Sequence, residues 1–200
     1  MADVNQLTVI IAGPQGSGKD TQVDLLKSYL TEHDPSRPAV HFDAGSALRK
    51  FTEEDGYTQD IVKMSLVRGE LQPMFVLAHV MSTFFITSMR GNEHLLVSGF
   101  PRSEDQLLLF NSAMKFYKRE SPVLLYFTLP EKISLERLLK RGRADDTAES
   151  IRARLGWTRE QTLPVIEEFQ KNPAYTYIEI DATPTIEIIH RDILNKLNLA

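Results

Sequence analysis

Residues 13–22 read GPQGSGKDTQ and directly follow the apolar run LTVIIA at 7–12. Glycines at positions 13, 16 and 18 let the backbone bend so that several N–H groups face one concavity, and a helix starting just beyond adds its positive end. Lys19 supplies a mobile cation at the edge of that concavity. Such an arrangement binds phosphate. The spacing satisfies GxxxxGK[ST] through Lys19 and then places Asp20 where a hydroxyl normally reaches magnesium. Two readings of Asp20 stay open: a cap of the following helix, or a carboxylate serving a hydrated metal ion.

Arginines form the second chemical signal. In HFDAGSALRK, Gly45 permits a tight turn and Arg49 falls in the first turns of the next helix, while a later strand ends in LLVSGFPRSEDQ with Arg102 just beyond it. Ligands of open parallel sheets sit beyond the carboxyl ends of strands, so Arg49 and Arg102 are expected to converge near the glycine loop. Planar guanidinium groups grip phosphate through paired hydrogen bonds, which lysine cannot do. The stretch ERLLKRGRADDTAESIRARL adds Arg137, Arg141, Arg143, Arg152 and Arg154. Arg137 and Arg141 share a helix face, Gly142 interrupts that helix, and Asp145 and Asp146 stand where the next one should begin. The acidic pair can cap that helix and complement its dipole, or it can orient Arg143; both readings remain.

These groups need a scaffold. Apolar, β-branched runs recur at 8–12, 39–42, 94–98, 123–129 and 176–180. Between them, helical periodicity marks 18–32, 45–51, 58–68, 73–90, 103–118, 131–141, 147–171 and 184–197. The alternation predicts an α/β fold with a parallel sheet. Residues 44–90 carry helices and no strand, more than a simple crossover needs, and read as a helical insertion. At 200 residues and 42% hydrophobic, the chain suits one domain with a sizeable core. With no cysteine there can be no disulfide, and a net charge of −4 argues against a broad nucleic-acid footprint. The acidic start MADVNQLTVI is unlike a signal peptide and no apolar stretch is long enough to span a bilayer, so a cytoplasmic protein without nucleic-acid or membrane partners is expected.

The segments GPQGSGKDTQ, AGSALR, RGELQP, SGFPRSEDQ, RLLKRGRADD and RARL, in this order across nearly the whole chain, resemble the signature segments of adenylate kinases. The resemblance implies a P-loop NTPase three-layer fold with a five-stranded parallel sheet. It implies one domain whose core is 1–43, 91–141 and 147–200, with a monophosphate-binding insertion at 44–73 and a very short lid at 141–146. The implied reaction is reversible phosphoryl transfer, ATP + AMP = 2 ADP, with Mg2+ carried by ATP and the enzyme a monomer. For ATP the resemblance implies Gly13, Gln15, Gly16, Ser17, Gly18, Lys19, Asp20, Thr21, Arg137, Arg141 and Pro184. For AMP it implies Ala44, Arg49, Glu70, Leu71, Gln72, Gly99, Phe100, Arg102, Gln106, Arg143 and Arg154. Lys19, Arg102, Arg141, Arg143 and Arg154 would surround the transferring phosphoryl. No general base is required, because the attacking phosphate oxygen is already ionised.

The chain departs from the family pattern in places that bear on chemistry. Only Gly142 separates Arg141 from Arg143, and without cysteine or a nearby histidine no zinc-bearing lid can form. So small a lid predicts less complete exclusion of water. Ser98 stands where the family typically has an aspartate before GFPR, and Asp20 stands where it usually has glycine. The two changes read as linked, a metal-serving carboxylate having moved from the third strand to the glycine loop. Acceptor choice rests on residues that disagree. Gln106 matches the side chain that reads adenine, whereas Ala44 replaces a common threonine and resembles UMP/CMP kinases. An amide making paired bonds to a base edge discriminates more than the loss of one hydroxyl or methyl, which favours AMP with relaxed acceptance of other monophosphates. A UMP/CMP-type or broad-specificity kinase is the alternative, and a noncatalytic nucleotide-binding module is a second, since Asp20 and Ser98 disturb the metal site.

Other features carry ordinary structural readings. His33, His41, His79, His94 and His190 are dispersed without metal-ligand spacing. Met74, Phe75, Phe84, Phe85 and Met89 follow helical spacing and read as core of the insertion. Trp157, the sole tryptophan, is expected to pack at the hinge beyond the lid. A GTPase would need NKxD, and the nearest string, NKLN at 195–198, lacks the aspartate. A small-metabolite kinase would share the glycine loop but has no need of SGFPR with Gln106.

Overall fold

A computed structural model of the protein describes residues 6–141 and 147–200. Its parallel sheet has the strand order β2-β3-β1-β4-β5, built from β1 (Thr8–Ala12), β2 (Ala39–Asp43), β3 (His94–Ser98), β4 (Val123–Thr128) and β5 (Thr176–Asp181). Side chains alternate between the two faces of each strand, and the packing follows that alternation. Val9, Ile11, Leu96, Leu125 and Phe127 pack beneath α1 (Lys19–His33) and α9 (Ile186–Lys196). Ile10, Leu95, Val97 and Leu124 pack against α4 (Met74–Ser88), α5 (Glu104–Phe116) and α8 (Leu163–Lys171). Every residue of β3 is buried, as suits a strand covered on both sides. The chain leaves β1 toward β2 on one side and later crosses from β3 to β4 on the other, so a crevice opens at the carboxyl end of β1.

The remaining helices are α2 (Ala44–Phe51), α3 (Tyr57–Val67), α6 (Glu131–Arg141) and α7 (Ala148–Trp157). None of the described helices is long and apolar enough to cross a membrane. The five strands and most helices lie within about two residues of the ranges read from hydrophobic periodicity. Three expectations do not hold. The segment 147–171 is not one α-helix, because residues Thr158–Thr162 form a π-helical turn between α7 and α8. Pro164 is the cause. Its ring would collide with the carbonyl of Glu160 and it offers no N–H, so the backbone widens and α8 restarts with Pro164 at its second position.

The N-cap of helix α7 is Thr147, while Asp145 and Asp146, read as caps or as partners of Arg143, lie outside the described residues. Thr147 accepts the Ser150 N–H at 3.1 Å and donates its own N–H to Ser150 Oγ at 3.1 Å, a reciprocal capping box. Gly45 is not in a turn but inside α2, where Arg49 Nη1 and Asp43 Oδ1 lie 3.2 and 3.3 Å from where a Cβ would stand. Finally, Met74 and Phe75 are not core residues. Val80, Met81 and Phe85 of α4 join the same cluster as Phe42 and Val97 of the sheet, while Met74 and Phe75 are exposed.

Candidate functional site

The glycine loop joins β1 to α1 with positive φ at Gly13, Gly16 and Gly18 (136°, 76° and 82°). Gly13 cannot be replaced without displacement of the sheet: a Cβ there would lie 2.5 Å from the carbonyl oxygen of Phe127 on β4. Gly18 holds the N-cap position of α1 with no side chain bonded there, and Asp20 sits in the first turn. Asp20 therefore does not occupy the cap, although its charge still complements the helix dipole. Lys19 Nζ lies within the loop, donating to the carbonyls of Gly13 (2.8 Å) and Pro14 (2.7 Å) and to Ser17 Oγ (3.3 Å). Arg137 of α6 reaches the same loop, bonding the carbonyls of Gly16 (3.3 Å) and Ala182 (3.0 Å). Ser134 fastens α6 to the Gln15 carbonyl at 2.6 Å.

A cavity of about 410 Å³ extends from this loop to α2 and α3. Gln15, Gly16, Gly18, Lys19, Asp20, Thr21 and Arg137 line its loop side. Ala44, Arg49, Glu70, Leu71 and Gln72 line the opposite wall, with Gly99, Arg102, Gln106 and Arg154 between. Folding has thus drawn Arg49, Arg102 and Arg154 from three distant parts of the chain into one concavity, a repulsive arrangement that polyanionic phosphate would relieve. Burial lowers the pKa of Arg102; the carboxylates of Asp43 and Asp20 oppose that shift, while Arg154 and Arg49 add to it. An arginine with so high an ordinary value stays protonated.

Asp43 organises the acceptor-side wall. Its carboxylate accepts the Gly45 N–H at 2.8 Å and the Ser46 hydroxyl at 2.7 Å, capping α2, and lies 3.9 Å from the Arg49 guanidinium. It pairs in register with Ser98. Ser98 is buried and its hydroxyl bonds His41 Nε2 at 2.8 Å. Burial pushes the imidazole of His41 below its ordinary range despite Asp43, Asp20 and Asp24, so it is neutral near pH 7. Gln106 is buried, and its Oε1 accepts the Arg102 backbone N–H at 2.8 Å.

Several residues expected in the site are placed otherwise. Ser17 is 1% exposed and meets Lys19 rather than the cavity. Phe100 turns into the core, edge-on to Phe42 and Phe110. Pro184 follows Ala182 in the β5–α9 loop without lining the cavity. Glu70 and Gln72 do line the cavity, but the Glu70 carboxylate is gripped by Arg68 at 2.6 and 2.9 Å and the Gln72 amide is held by Ser65. The side chain of Arg141, the whole of Arg143 and the rest of the 142–146 lid lie outside the described residues. Asp43 and Trp157 are cavity residues that sequence reasoning missed or placed only loosely. For Asp43 there was a signal: an aspartate at a strand end, two residues before Gly45 and three before Ser46, is an N-cap pattern.

A family model described as "Adenylate kinase" matches residues 11–174. The chain is 32% identical to the uridylate kinase of Saccharomyces cerevisiae over 94% of its own length and 90% of that protein's. It is 29% identical to an adenylate kinase of Prochlorococcus marinus, with 94% and 97% covered, and 30% identical to the UMP-CMP kinase of Lentinula edodes, with 94% and 84% covered. These relatives differ in the nucleotide they are named for and agree in being named kinases. A match over most of the sequence, on a fold that gathers a glycine loop and scattered arginines at one crevice, means that the chain belongs to the adenylate kinase family and is a phosphotransferase.

Proposed function

We propose that the enzyme catalyses ATP + AMP = 2 ADP reversibly, with relaxed acceptance of other nucleoside monophosphates. The observation that carries this reading is Gln106, buried between Arg102 and the acceptor-side wall. Because its oxygen satisfies the Arg102 N–H, its Nε2 group is the part offered to a base. The N1 acceptor of adenine suits that donor. The second lone pair of the Gln106 oxygen can accept from the adenine N6 amino group, while a pyrimidine carries its pairing edge nearer the ribose and so reaches this amide less fully. Ala44, 3% exposed on the same wall, supports the pyrimidine reading, as do the names of the yeast and Lentinula relatives.

In this reading the glycine loop and Lys19 hold the donor phosphates, Arg137 lies toward the donor base, and Arg49 and Arg102 clamp the acceptor phosphate. Arg143 and Arg154 would close over the moving phosphoryl, with 44–73 and 141–146 as the moving parts. Transfer of this kind needs positioning and charge cancellation, which arginines and a lysine supply. Magnesium enters as part of the ATP substrate. Asp20, Asp43 and Ser98 share the cavity with the loop, and their oxygens suit the waters of a hydrated ion.

Coupled turnover with AMP, dAMP, GMP, CMP and UMP at fixed MgATP tests the assignment. AMP should give the highest kcat/KM; a maximum with UMP or CMP overturns it. A double-mutant cycle addresses the metal-serving carboxylate. Asp20→Gly should damage magnesium-dependent turnover less in a Ser98→Asp background than in the parent, and additive effects would remove the idea that Asp20 replaces a strand-3 carboxylate.

A further inference from the structure

We infer that Trp157 is a positioning residue that ties the acceptor-binding turn at 69–72 to the guanidinium of Arg102. This rests on the acceptor-site reading of that cavity wall but not on which base the acceptor carries. Trp157 ends α7, immediately before the π-helical turn. It belongs to neither hydrophobic cluster of the core, and instead lines the cavity half-buried.

Two contacts define its position. The indole Nε1–H donates to the carbonyl of Gly69 at 2.9 Å, and the Arg102 guanidinium lies 5.0 Å from the ring centre. Gly69 takes a left-handed conformation (φ 73°) that closes α3 through Gly69 N–Leu66 O and Glu70 N–Ser65 O bonds, both 3.0 Å. That turn presents the Gly69 carbonyl to Trp157. It also presses against α7, since a Cβ on Gly69 would lie 2.6 Å from the Ser150 carbonyl oxygen. Ser150 in turn holds Arg154, accepting its Nε–H at the carbonyl (3.1 Å) and its Nη2–H at the hydroxyl (2.9 Å).

Arg102 is fixed at its backbone from both sides. Its N–H meets Gln106 and its carbonyl accepts the Thr162 hydroxyl at 3.1 Å. The direction of its guanidinium is left to the face of Trp157 and the charge of Asp43. One side chain thus senses whether the 69–72 turn is seated and aims an acceptor-side arginine accordingly.

Three variants and one signal test this, using the best monophosphate from the panel above. If AMP is not that monophosphate, the proposed acceptor fails while this test proceeds unchanged. Trp157→Phe keeps a ring face and loses the N–H; it should raise the acceptor KM about tenfold, with a much smaller change in ATP KM and kcat. Trp157→Leu loses both and should lower kcat by about a further tenfold. Gly69→Ala, acting from the opposite partner, should reproduce the acceptor KM rise. In the parent, acceptor alone should change the emission of this sole tryptophan. The inference is overturned by ATP and acceptor KM rising together, by equal kinetics for Trp157→Phe and Trp157→Leu, by lowered melting temperature with parental KM values, or by emission that responds to ATP alone.

Discussion

Arg102→Ala is expected to lower kcat about 10³-fold, the scale set by arginines that stabilise a transferring phosphoryl. The size follows from what alanine cannot replace. Arg102 stands between the glycine loop and the acceptor-side wall, in the same cavity as Arg49 and Arg154, so both phosphate chains lie within its reach in the proposed reaction. Arg102→Lys should recover little, because a lysine neither forms a paired grip on phosphate nor stacks as a plane over Trp157. Steady-state kinetics checks this alongside thermal melting. The melting temperature should hold or rise, because removing one of several clustered cations relieves repulsion that the fold otherwise bears. A loss of turnover within tenfold of the parent would move the main charge-cancelling role to another arginine.

The largest stability effect is expected far from the cavity, at the opposite end of the sheet. Arg119 and Glu93 form an ion pair whose side chains are 3% and 0% exposed. Arg119 also donates to the Glu93 carbonyl at 2.7 Å, while the second carboxylate oxygen of Glu93 accepts the N–H groups of Arg90 (2.8 Å) and Gly91 (2.9 Å). Arg119→Met keeps the volume and leaves a buried carboxylate without its cation, which should cost about 3–5 kcal/mol in urea unfolding at pH 7. Adding Glu93→Leu should restore part of that loss and no more, because the Arg90 and Gly91 N–H groups are then orphaned.

The pH dependence has a definite sign. Burial alone would raise the Glu93 pKa, but the backbone N–H bonds and Arg119 outweigh it and hold the group below its ordinary 4.5. A carboxyl whose folded value is depressed stabilises fully above the unfolded value, and this contribution is lost as pH falls through the folded one. The parent should therefore keep this contribution down to about pH 4.5. In Arg119→Met, burial acts on Glu93 with less opposition and raises its folded value, so the stability gap between variant and parent should narrow as pH falls.

Much of the architecture was legible in the chain because its signals are local. Period-two and period-3.6 hydrophobicity follow from backbone geometry alone, and they located each strand to within about one or two residues. The glycine loop was equally legible, since positive φ at Gly13, Gly16 and Gly18 is a demand that the sequence itself meets. Pro164 was also visible, but its consequence was not: whether a helix breaks, kinks or widens at proline depends on what packs around it.

The sequence by itself determined that a phosphate-binding loop follows a buried strand and that arginines recur after later strand and helix ends. Tertiary structure alone decided which of them meet. Parallel crossovers bring Arg49, Arg102 and Arg154 to one crevice from separations that no local pattern encodes. It also decided that Asp43 stands beside Ser98, that Phe100 faces the core, and that Trp157 faces Gly69 and Arg102. A side chain's direction at a strand end or after a π-helical turn depends on register and on the residues opposite. Those are properties of the packed whole, so the chemistry could be recognised in the chain while its partners could be named only from the fold.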